Sequence, residues 1–223
     1  MLPWIHIDTA PIPGGGELRL KRRGAEFSIM LGDNELMNSR LSGSEEALAT
    51  LSAAKIGQNG APKMLIGGLG MGFTLRAALK ALPSTARIEV AELVPAVVAW
   101  ARGPMAEVFA GSLEDSRVKV REGDVAEMIR SGGAYDAILL DVDNGPDGLT
   151  RVANDVLYDS AGLAAVRTAL KPGGVFAVWS CGPDEDFTRR LRKAGFAVEQ
   201  IHVRAGRAKG ARHVIWLGVR RER

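Results

Sequence analysis

Two features of the sequence carry groups suited to binding a polar ligand. The segment KMLIGGLGMGFTLRAALKAL (63–82) places several glycines between an apolar run and residues with helical spacing; they are Gly67, Gly68, Gly70 and Gly72. Such a strand, turn and helix lets the backbone approach a ligand and points free N–H groups at it. Glu92 ends the next apolar run, where a carboxylate about twenty residues after the glycines can accept both hydroxyls of a ribose. The pair predicts a nucleoside-containing cofactor, although a glycine turn alone is also compatible with a tight structural connection.

Asp124 follows the third predicted strand, in the segment EGDV (122–125). Its carboxylate could accept a hydrogen bond from an exocyclic amine such as that of adenine. It could equally cap a helix that begins at Val125, which aspartate does well. The sequence leaves both interpretations open, and both can hold together.

An acidic segment, DVDNGPDG (141–148), follows the fourth predicted strand. We expect Asp141 to orient or deprotonate an amine at the end of the sheet that carries the glycine turn. Asp143 and Asp147 are also compatible with an Asx-type turn before a long loop. Cys181 has no histidine near it in sequence and could as easily be a small buried side chain, so we do not nominate it as a nucleophile.

The elements that must position these groups alternate along the chain from Lys63 onward. Predicted strands lie at 63–66, 87–93, 118–122, 137–142 and 175–180, and predicted helices at 73–82, 95–109, 125–131, 159–170 and 184–194. This alternation predicts an α/β fold with a parallel sheet whose ligand lies at the carboxyl ends of the strands. Segments 196–203 and 213–220 are joined by too short a loop for a helical crossover, which predicts an antiparallel hairpin.

The N-terminal part differs in pattern and is predicted to be a separate unit over residues 1–41, with the main domain over 42–223. An irregular arm of sixteen residues precedes a β-hairpin formed by 17–22 and 26–31, and SGSE (42–45) has the form of a capping box for the next helix. So small a β layer cannot hold its own core. It must pack on the main domain or on a second copy of the chain, and we expect a homodimer through this layer.

Composition narrows the class of protein. The 223 residues are 46% hydrophobic and 25% charged, with one cysteine and three histidines, which argues against a disulfide framework and against a metal site. No apolar run is long enough to cross a membrane and no leader-type segment opens the chain, so we expect a cytoplasmic protein. The tail at 202–223 is basic, but no aromatic residue is interleaved among the basic residues of its 204–212 loop, which argues against nucleic acid as a partner.

Taken together, these segments resemble the spermidine synthase family. The glycine turn, Glu92, Gly123-Asp124 and the acidic loop carry the resemblance, together with ELMNSRLSGSEEALATL (35–51) and LKPGGVFAVWS (170–180). It implies a Rossmann-like class I methyltransferase fold with a mostly parallel seven-stranded sheet and an antiparallel C-terminal hairpin. It also implies that Gly68, Gly70 and Gly72 approach the amino-acid part of the cofactor, that Glu92 holds the ribose, and that Asp124 contacts the adenine.

The sequence departs from that family at three places. The family's turn carries an aspartate that binds the aminopropyl ammonium of decarboxylated S-adenosylmethionine, and Met71 matches that position. The family's Tyr-Gln pair before a glutamate is matched by Ser44-Glu45 before Glu46. The second carboxylate of its acidic loop is either moved to Asp143 or replaced by Asn144.

The lost aspartate favours S-adenosyl-L-methionine as the cofactor. The preferred hypothesis is therefore a methyltransferase acting on a small-molecule amine or hydroxyl, with Asp141 as the catalytic group and Asp143 and Glu46 as helpers. The cofactor site would comprise Gly68, Gly70, Met71, Gly72, Glu92, Asp124, Val125 and Asp141. The main alternative is an aminopropyltransferase that uses decarboxylated S-adenosylmethionine and a polyamine acceptor. A non-catalytic cofactor-binding module and a nicotinamide dehydrogenase are further alternatives, the last disfavoured by the G-x-G-x-G spacing.

Overall fold

A small antiparallel sheet of four strands, in the order β1-β2-β3-β4, precedes the main domain. The computed structural model describes residues 2–57, 60–142, 156–206 and 210–221. The strands are β1 (Ile5–Pro11), β2 (Glu17–Arg23), β3 (Glu26–Leu31) and β4 (Asn34–Asn38). The predicted hairpin is thus confirmed. The arm expected before it is wrong in part, because Ile5–Pro11 pairs with β2 as an edge strand, a position that tolerates proline.

The main sheet has seven strands in the order β10-β11-β9-β8-β5-β6-β7. The strands are β5 (Lys63–Gly67), β6 (Arg87–Glu92), β7 (Val118–Glu122), β8 (Tyr135–Leu140), β9 (Leu170–Ser180), β10 (Phe196–Arg204) and β11 (Arg212–Arg220). Strands β7, β6, β5, β8 and β9 are parallel, whereas β11 pairs antiparallel with both β9 and β10. The fold predicted from the sequence is therefore confirmed.

The chain reverses its direction of travel across this sheet beside β5. It moves outward from β5 to β6 and β7 and then returns to β8 on the other side of β5. In open α/β sheets such a reversal leaves a crevice at the carboxyl ends of the strands, where ligands bind. The crevice here lies between the ends of β5, β6 and β8.

Helices flank the sheet where the apolar spacing predicts them. They are α1 (Gly43–Ile56), α2 (Phe73–Ala81), α3 (Pro95–Arg102), α4 (Ala106–Phe109), α5 (Val125–Arg130), α6 (Ser160–Ala169) and α7 (Glu185–Lys193). The single helix predicted over 95–109 is divided, because Gly103 and Pro104 end α3 before α4 begins. No helix in the described ranges combines the length and apolarity needed to cross a bilayer.

The small sheet shares its core with the main domain. Leu20 and Ile29 are fully buried in the same apolar cluster as Leu48 of α1, and the Trp100 indole of α3 donates to Asp8 of β1 at 2.7 Å. The apolar face of the small sheet is thus covered by its own chain. The homodimer and the domain boundary at residue 41 stay predictions. A second copy of the chain is not needed to cover this face, which removes one reason to expect the homodimer.

Candidate active site

The glycine turn packs directly against the end of β8. Gly68 has φ +91°, and a Cβ there would lie 2.3 Å from the carbonyl oxygen of Asp141. Gly72 has φ +76°, and a Cβ there would lie 2.4 Å from the Phe109 ring. Larger residues would therefore be strained and would push the turn away from its neighbours. Gly68 thus allows the turn to pack against Asp141, and Gly72 allows it to pack against Phe109.

Glu92 is buried at the end of β6, and both of its carboxylate oxygens are engaged. They accept hydrogen bonds from the backbone N–H groups of Leu69 and Val94, each at 2.9 Å. Burial raises the pKa of Glu92, and these amides oppose that rise by stabilising the anion. The backbone N–H groups of Gly70 and Leu93 also lower the pKa of this carboxyl group. Glu92 thus holds the turn in place and also faces a cleft, as binding a ribose would require.

Asp124 has both of the environments that the sequence left open. Its carboxylate accepts from the Ala126 N–H at 2.8 Å, which makes it the N-cap of α5. Together with Val125 and Gly123 it also lines the cleft that contains Glu92. The cap is a feature of the structure, whereas a contact with adenine stays a prediction.

Two adjoining clefts form the crevice, of about 850 and 570 Å³ including space open to solvent. The first, here called the donor cleft, contains Glu92 and Asp124. The second, here called the acceptor cleft, is lined by Leu36, Met37, Glu45, Leu69, Gly70, Met71, Gly72, Phe73, Asp141 and Trp179. Asp141 lines both clefts and therefore lies at their junction.

Asp141 is the most strongly perturbed carboxyl group at this junction. Burial, and next the nearby Glu45 carboxylate, raise the pKa of Asp141 to about 7, while a hydrogen bond from the Thr74 hydroxyl at 2.6 Å opposes the rise. The pKa of Glu45 is also raised, mainly by burial, and a 2.6 Å hydrogen bond from Ser44 opposes it. A carboxyl group with a pKa near neutrality is suited to accept a proton from an amine.

Glu46 does not reach this site, which corrects the prediction that it helps catalysis. It is exposed, accepts from the Ser42 hydroxyl at 2.8 Å, and faces a separate surface cleft that includes Arg76 and Lys80. The physical reason is helical periodicity, because Glu45 shares the inward face with Leu48, Ala49 and Ser52. Glu45 is the carboxylate of α1 that faces the site. Asp143, the other predicted helper, lies outside the described residues.

Trp179 lines the acceptor cleft, and Thr74 donates a hydrogen bond to Asp141 without lining the cleft; both residues were missed from the sequence. Thr74 is almost fully buried in the first turn of α2, directly after the glycines, and Trp179 lies near the end of β9. The position of each at the end of an element beside the crevice is the signal that could have identified it. Met71, the residue in place of the family's aspartate, is 4% exposed and lines the same cleft.

Every charged side chain that lines the two clefts in the described ranges is acidic: Glu45, Glu92, Asp124 and Asp141. The turn amides are largely engaged within the protein, since Gly68 donates to Ala91, Leu69 to Glu92, and Gly72 to Leu69. A ligand carboxylate would therefore meet carboxylates and few free donors. Cationic ligands fit this crevice far better.

The fold and this crevice define a protein of the class I methyltransferase fold with an acidic crevice at the carboxyl ends of its parallel strands. A family model described as the spermine/spermidine synthase domain matches residues 44–185. The chain belongs to that family.

Similar proteins agree with this assignment. The polyamine aminopropyltransferase of Mycobacterium tuberculosis is 34% identical over 155 residues, which are 65% of this chain but 29% of that protein. The chain thus matches less than a third of the length of this relative. A spermidine synthase structure in complex with the transition-state analogue AdoDATO superimposes with a TM-score of 0.75 at 19% identity, covering 96% of this chain and 72% of the other. The spermidine synthase of Thermotoga maritima gives 0.74 at 17% identity with the same coverage.

These comparisons correct the function that the sequence favoured. The hypothesis of a methyltransferase that uses S-adenosyl-L-methionine is wrong, because the matching family and the curated relatives are polyamine aminopropyltransferases. The wrong preference for a methyltransferase rests on Met71, because an uncharged side chain at this position indicates that a site for an ammonium group is lost. The crevice instead presents Glu45 and Asp141, which converge from α1 and the end of β8.

Proposed function

We propose that this protein is an aminopropyltransferase that uses decarboxylated S-adenosylmethionine as donor and a small polyamine as acceptor. The observation that supports it best is the charge of the crevice, whose charged lining residues are acidic throughout the described ranges. The decarboxylated donor has a sulfonium and a terminal ammonium but no carboxylate. It therefore matches the crevice in charge, whereas S-adenosylmethionine places a carboxylate beside Asp141.

The bound donor supplies an activated carbon beside its sulfonium, so that an amine nitrogen displaces the neutral thioether 5′-methylthioadenosine. In this proposal Glu92 and Asp124 hold the nucleoside in the donor cleft. Glu45 and Asp141 attract the cationic amines at the junction, in place of the carboxylate that Met71 lacks. Four acidic groups can hold the two substrates close together, which is the main requirement when the leaving group is already activated.

Asp141 has the environment needed to take the proton from the acceptor. An amine must lose its proton before the nitrogen lone pair can form the new C–N bond. With a pKa of about 7, Asp141 is ionised in part at neutral pH and can accept that proton directly. Thr74 stabilises the ionised form through its 2.6 Å hydrogen bond.

Incubation of the purified chain with decarboxylated S-adenosylmethionine and putrescine tests the proposal. We expect 5′-methylthioadenosine and spermidine in equal amounts by liquid chromatography and mass spectrometry. Calorimetric titration should show tighter binding of the decarboxylated donor than of S-adenosylmethionine. Preference for S-adenosylmethionine, together with no transfer to any di- or polyamine, would contradict the proposal.

A further inference from the structure

His213 lies in β11, behind the acceptor cleft, and lines neither cleft. Its Nδ1 is 2.9 Å from the hydroxyl oxygen of Ser44, a residue 169 positions away in sequence. Its ring also packs edge-on against Trp179, with ring centroids 4.6 Å apart. Since Ser44 precedes Glu45 and Trp179 lines the acceptor cleft, His213 contacts two parts of that cleft's wall from outside.

The direction of the hydrogen bonds follows from the number of protons available. Ser44 is fully buried and donates its single hydroxyl proton to Glu45 Oε2 at 2.6 Å. The hydroxyl oxygen must then accept at its other contact, so His213 carries a proton on Nδ1. Burial lowers the pKa of His213, which favours the neutral ring that this tautomer requires. The chain of hydrogen bonds therefore runs from His213 to Ser44 to Glu45.

The same end of α1 has a second attachment to the C-terminal hairpin. The Gly43 N–H donates to the carbonyl oxygen of Ala205, just after β10, at 2.8 Å. The two attachments fix consecutive residues, Gly43 and Ser44, immediately before Glu45. The hairpin thus determines where the first turn of α1 lies relative to the end of β8.

We propose that His213 is a positioning residue for the acceptor, acting through Ser44 to hold the Glu45 carboxylate in the acceptor cleft beside Asp141. The inference rests on the proposed function, since it assigns the binding of the acceptor's cationic amine to a carboxylate held in this way. The hairpin of β10 and β11 is then part of the acceptor site although none of its described residues lines either cleft. In this proposal the donor binds to Glu92 and Asp124, so donor binding does not depend on the hydrogen bonds that connect His213, Ser44 and Glu45.

Four single variants of the full chain and one double variant, His213→Phe with Ser44→Ala, test the proposal. His213→Phe keeps a ring against Trp179 but removes the donor, whereas His213→Asn places an amide N–H near the position of Nδ1. Ser44→Ala removes the hydroxyl group through which His213 is connected to Glu45. His202→Phe is the matched control, because His202 is an exposed histidine on the neighbouring strand of the same hairpin.

We expect His213→Phe and Ser44→Ala to raise the KM for putrescine about tenfold, with the KM for the decarboxylated donor changed less than twofold. His213→Asn should restore most of the loss, and the double variant should be no worse than Ser44→Ala alone, since the residues act in series. The His202→Phe control should behave as the native chain. Equal changes in both KM values, or additive losses in the double variant, would overturn the proposal.

A second measurement does not depend on turnover. Titration of ¹³C-labelled glutamate carboxyl groups by NMR should show a higher pKa for Glu45 in Ser44→Ala and in His213→Phe than in the native chain. Ser44→Ala removes the hydrogen bond that favours the anion, and His213→Phe removes the contact that orients the Ser44 hydroxyl toward Glu45. An unchanged Glu45 pKa overturns the positioning role. If the native chain transfers no aminopropyl group, the proposed function fails while this titration still decides the role of His213.

Discussion

The donor cleft and the acceptor cleft both depend on carboxylates, of which Glu92 is buried and Asp141 and Glu45 are half-buried, yet the two clefts hold these groups by different means. Glu92 accepts from two backbone N–H groups that the strand and the glycine turn place there. Asp141 and Glu45 each accept from one side-chain hydroxyl, of Thr74 and of Ser44 respectively. The Glu92 carboxylate of the donor cleft is thus held by backbone N–H groups, whereas the Asp141 and Glu45 carboxylates of the acceptor cleft are held by side-chain hydroxyls.

This difference explains where the chain departs from its family. A carboxylate held by backbone amides persists as long as the fold does, because any sequence with this turn supplies the same donors. A carboxylate held by a hydroxyl depends on single residues that can be replaced. The departures at Met71 and at Ser44-Glu45 both fall at the acceptor cleft.

The largest effect is expected at the junction of the two clefts. Asp141→Asn keeps the size of the side chain but cannot take a proton, so kcat for aminopropyl transfer should fall about 10²–10⁴-fold. Steady-state assays at saturating donor and putrescine measure it. Asp33→Asn, at an exposed carboxylate of the small sheet, is the control. Retention of more than a tenth of the native kcat would show that another group takes the proton.

Glu92→Gln tests the cleft that backbone donors support. A neutral amide cannot accept from two N–H groups and two ribose hydroxyls equally well, so donor affinity should fall roughly ten- to hundredfold. Calorimetric titration of the decarboxylated donor measures the change. Glu122→Gln, at the exposed end of the neighbouring strand β7, should bind as the native chain does. Equal affinities in both variants would place the ribose elsewhere.

The pKa of Asp141 predicts how activity depends on pH. With saturating substrates, kcat should rise about tenfold per unit below pH 7 and level off above it, because the ionised group is the base. Glu45→Gln should move the midpoint down, since it removes a repelling charge, and Thr74→Val should move it up, since it removes a stabilising hydrogen bond. Midpoints that do not move in these directions would assign the profile to a different group.

Glu45 and Glu46 provide a matched pair for the acceptor cleft. Glu45→Gln should raise the KM for putrescine about five- to tenfold, because one of two carboxylates that face the amine loses its charge. Glu46→Gln should change it less than twofold, since Glu46 is exposed on the other face of α1. Initial-rate measurements with varied putrescine distinguish the two. The opposite order would mean that the acceptor binds in the surface cleft of Arg76 and Lys80.

The smallest effect concerns stability. The pKa of Asp141 is about 7 in the fold, against 3.8 as the ordinary value. Its protonated form therefore stabilises the fold fully below about pH 3.8, and this contribution is lost as the pH rises to about 7. At pH 8, Asp141→Asn removes the buried charge and should be more stable by about 1–2 kcal/mol, or a few degrees in Tm. Thermal melts at pH 8 and pH 4 test this, and the difference should disappear at pH 4.

The sequence by itself determined the elements of this fold and one of the two clefts. Alternating strands and helices, the glycine turn and Glu92 are local patterns, and the carboxyl ends of parallel strands necessarily meet at one edge of the sheet. Glu92 and Asp124 could therefore be placed without coordinates. Ile5–Pro11 was missed because its prolines and the following glycines resemble an irregular arm, and only pairing with β2 makes it a strand.

The tertiary structure decided which side chains meet Asp141 at the acceptor cleft. Thr74 and Asp141 are 67 positions apart, and His213 and Ser44 are 169 apart, so no local spacing connects them. Whether Glu45 or Glu46 faces the site depends on how α1 is rotated against the sheet, which its attachments to Ala205 and His213 fix. The sequence shows Met71 but not these contacts, and it therefore indicated a site without a charged group for an ammonium. The folded chain supplies that charge from two other elements, because packing brings Glu45 and Asp141 to one cleft.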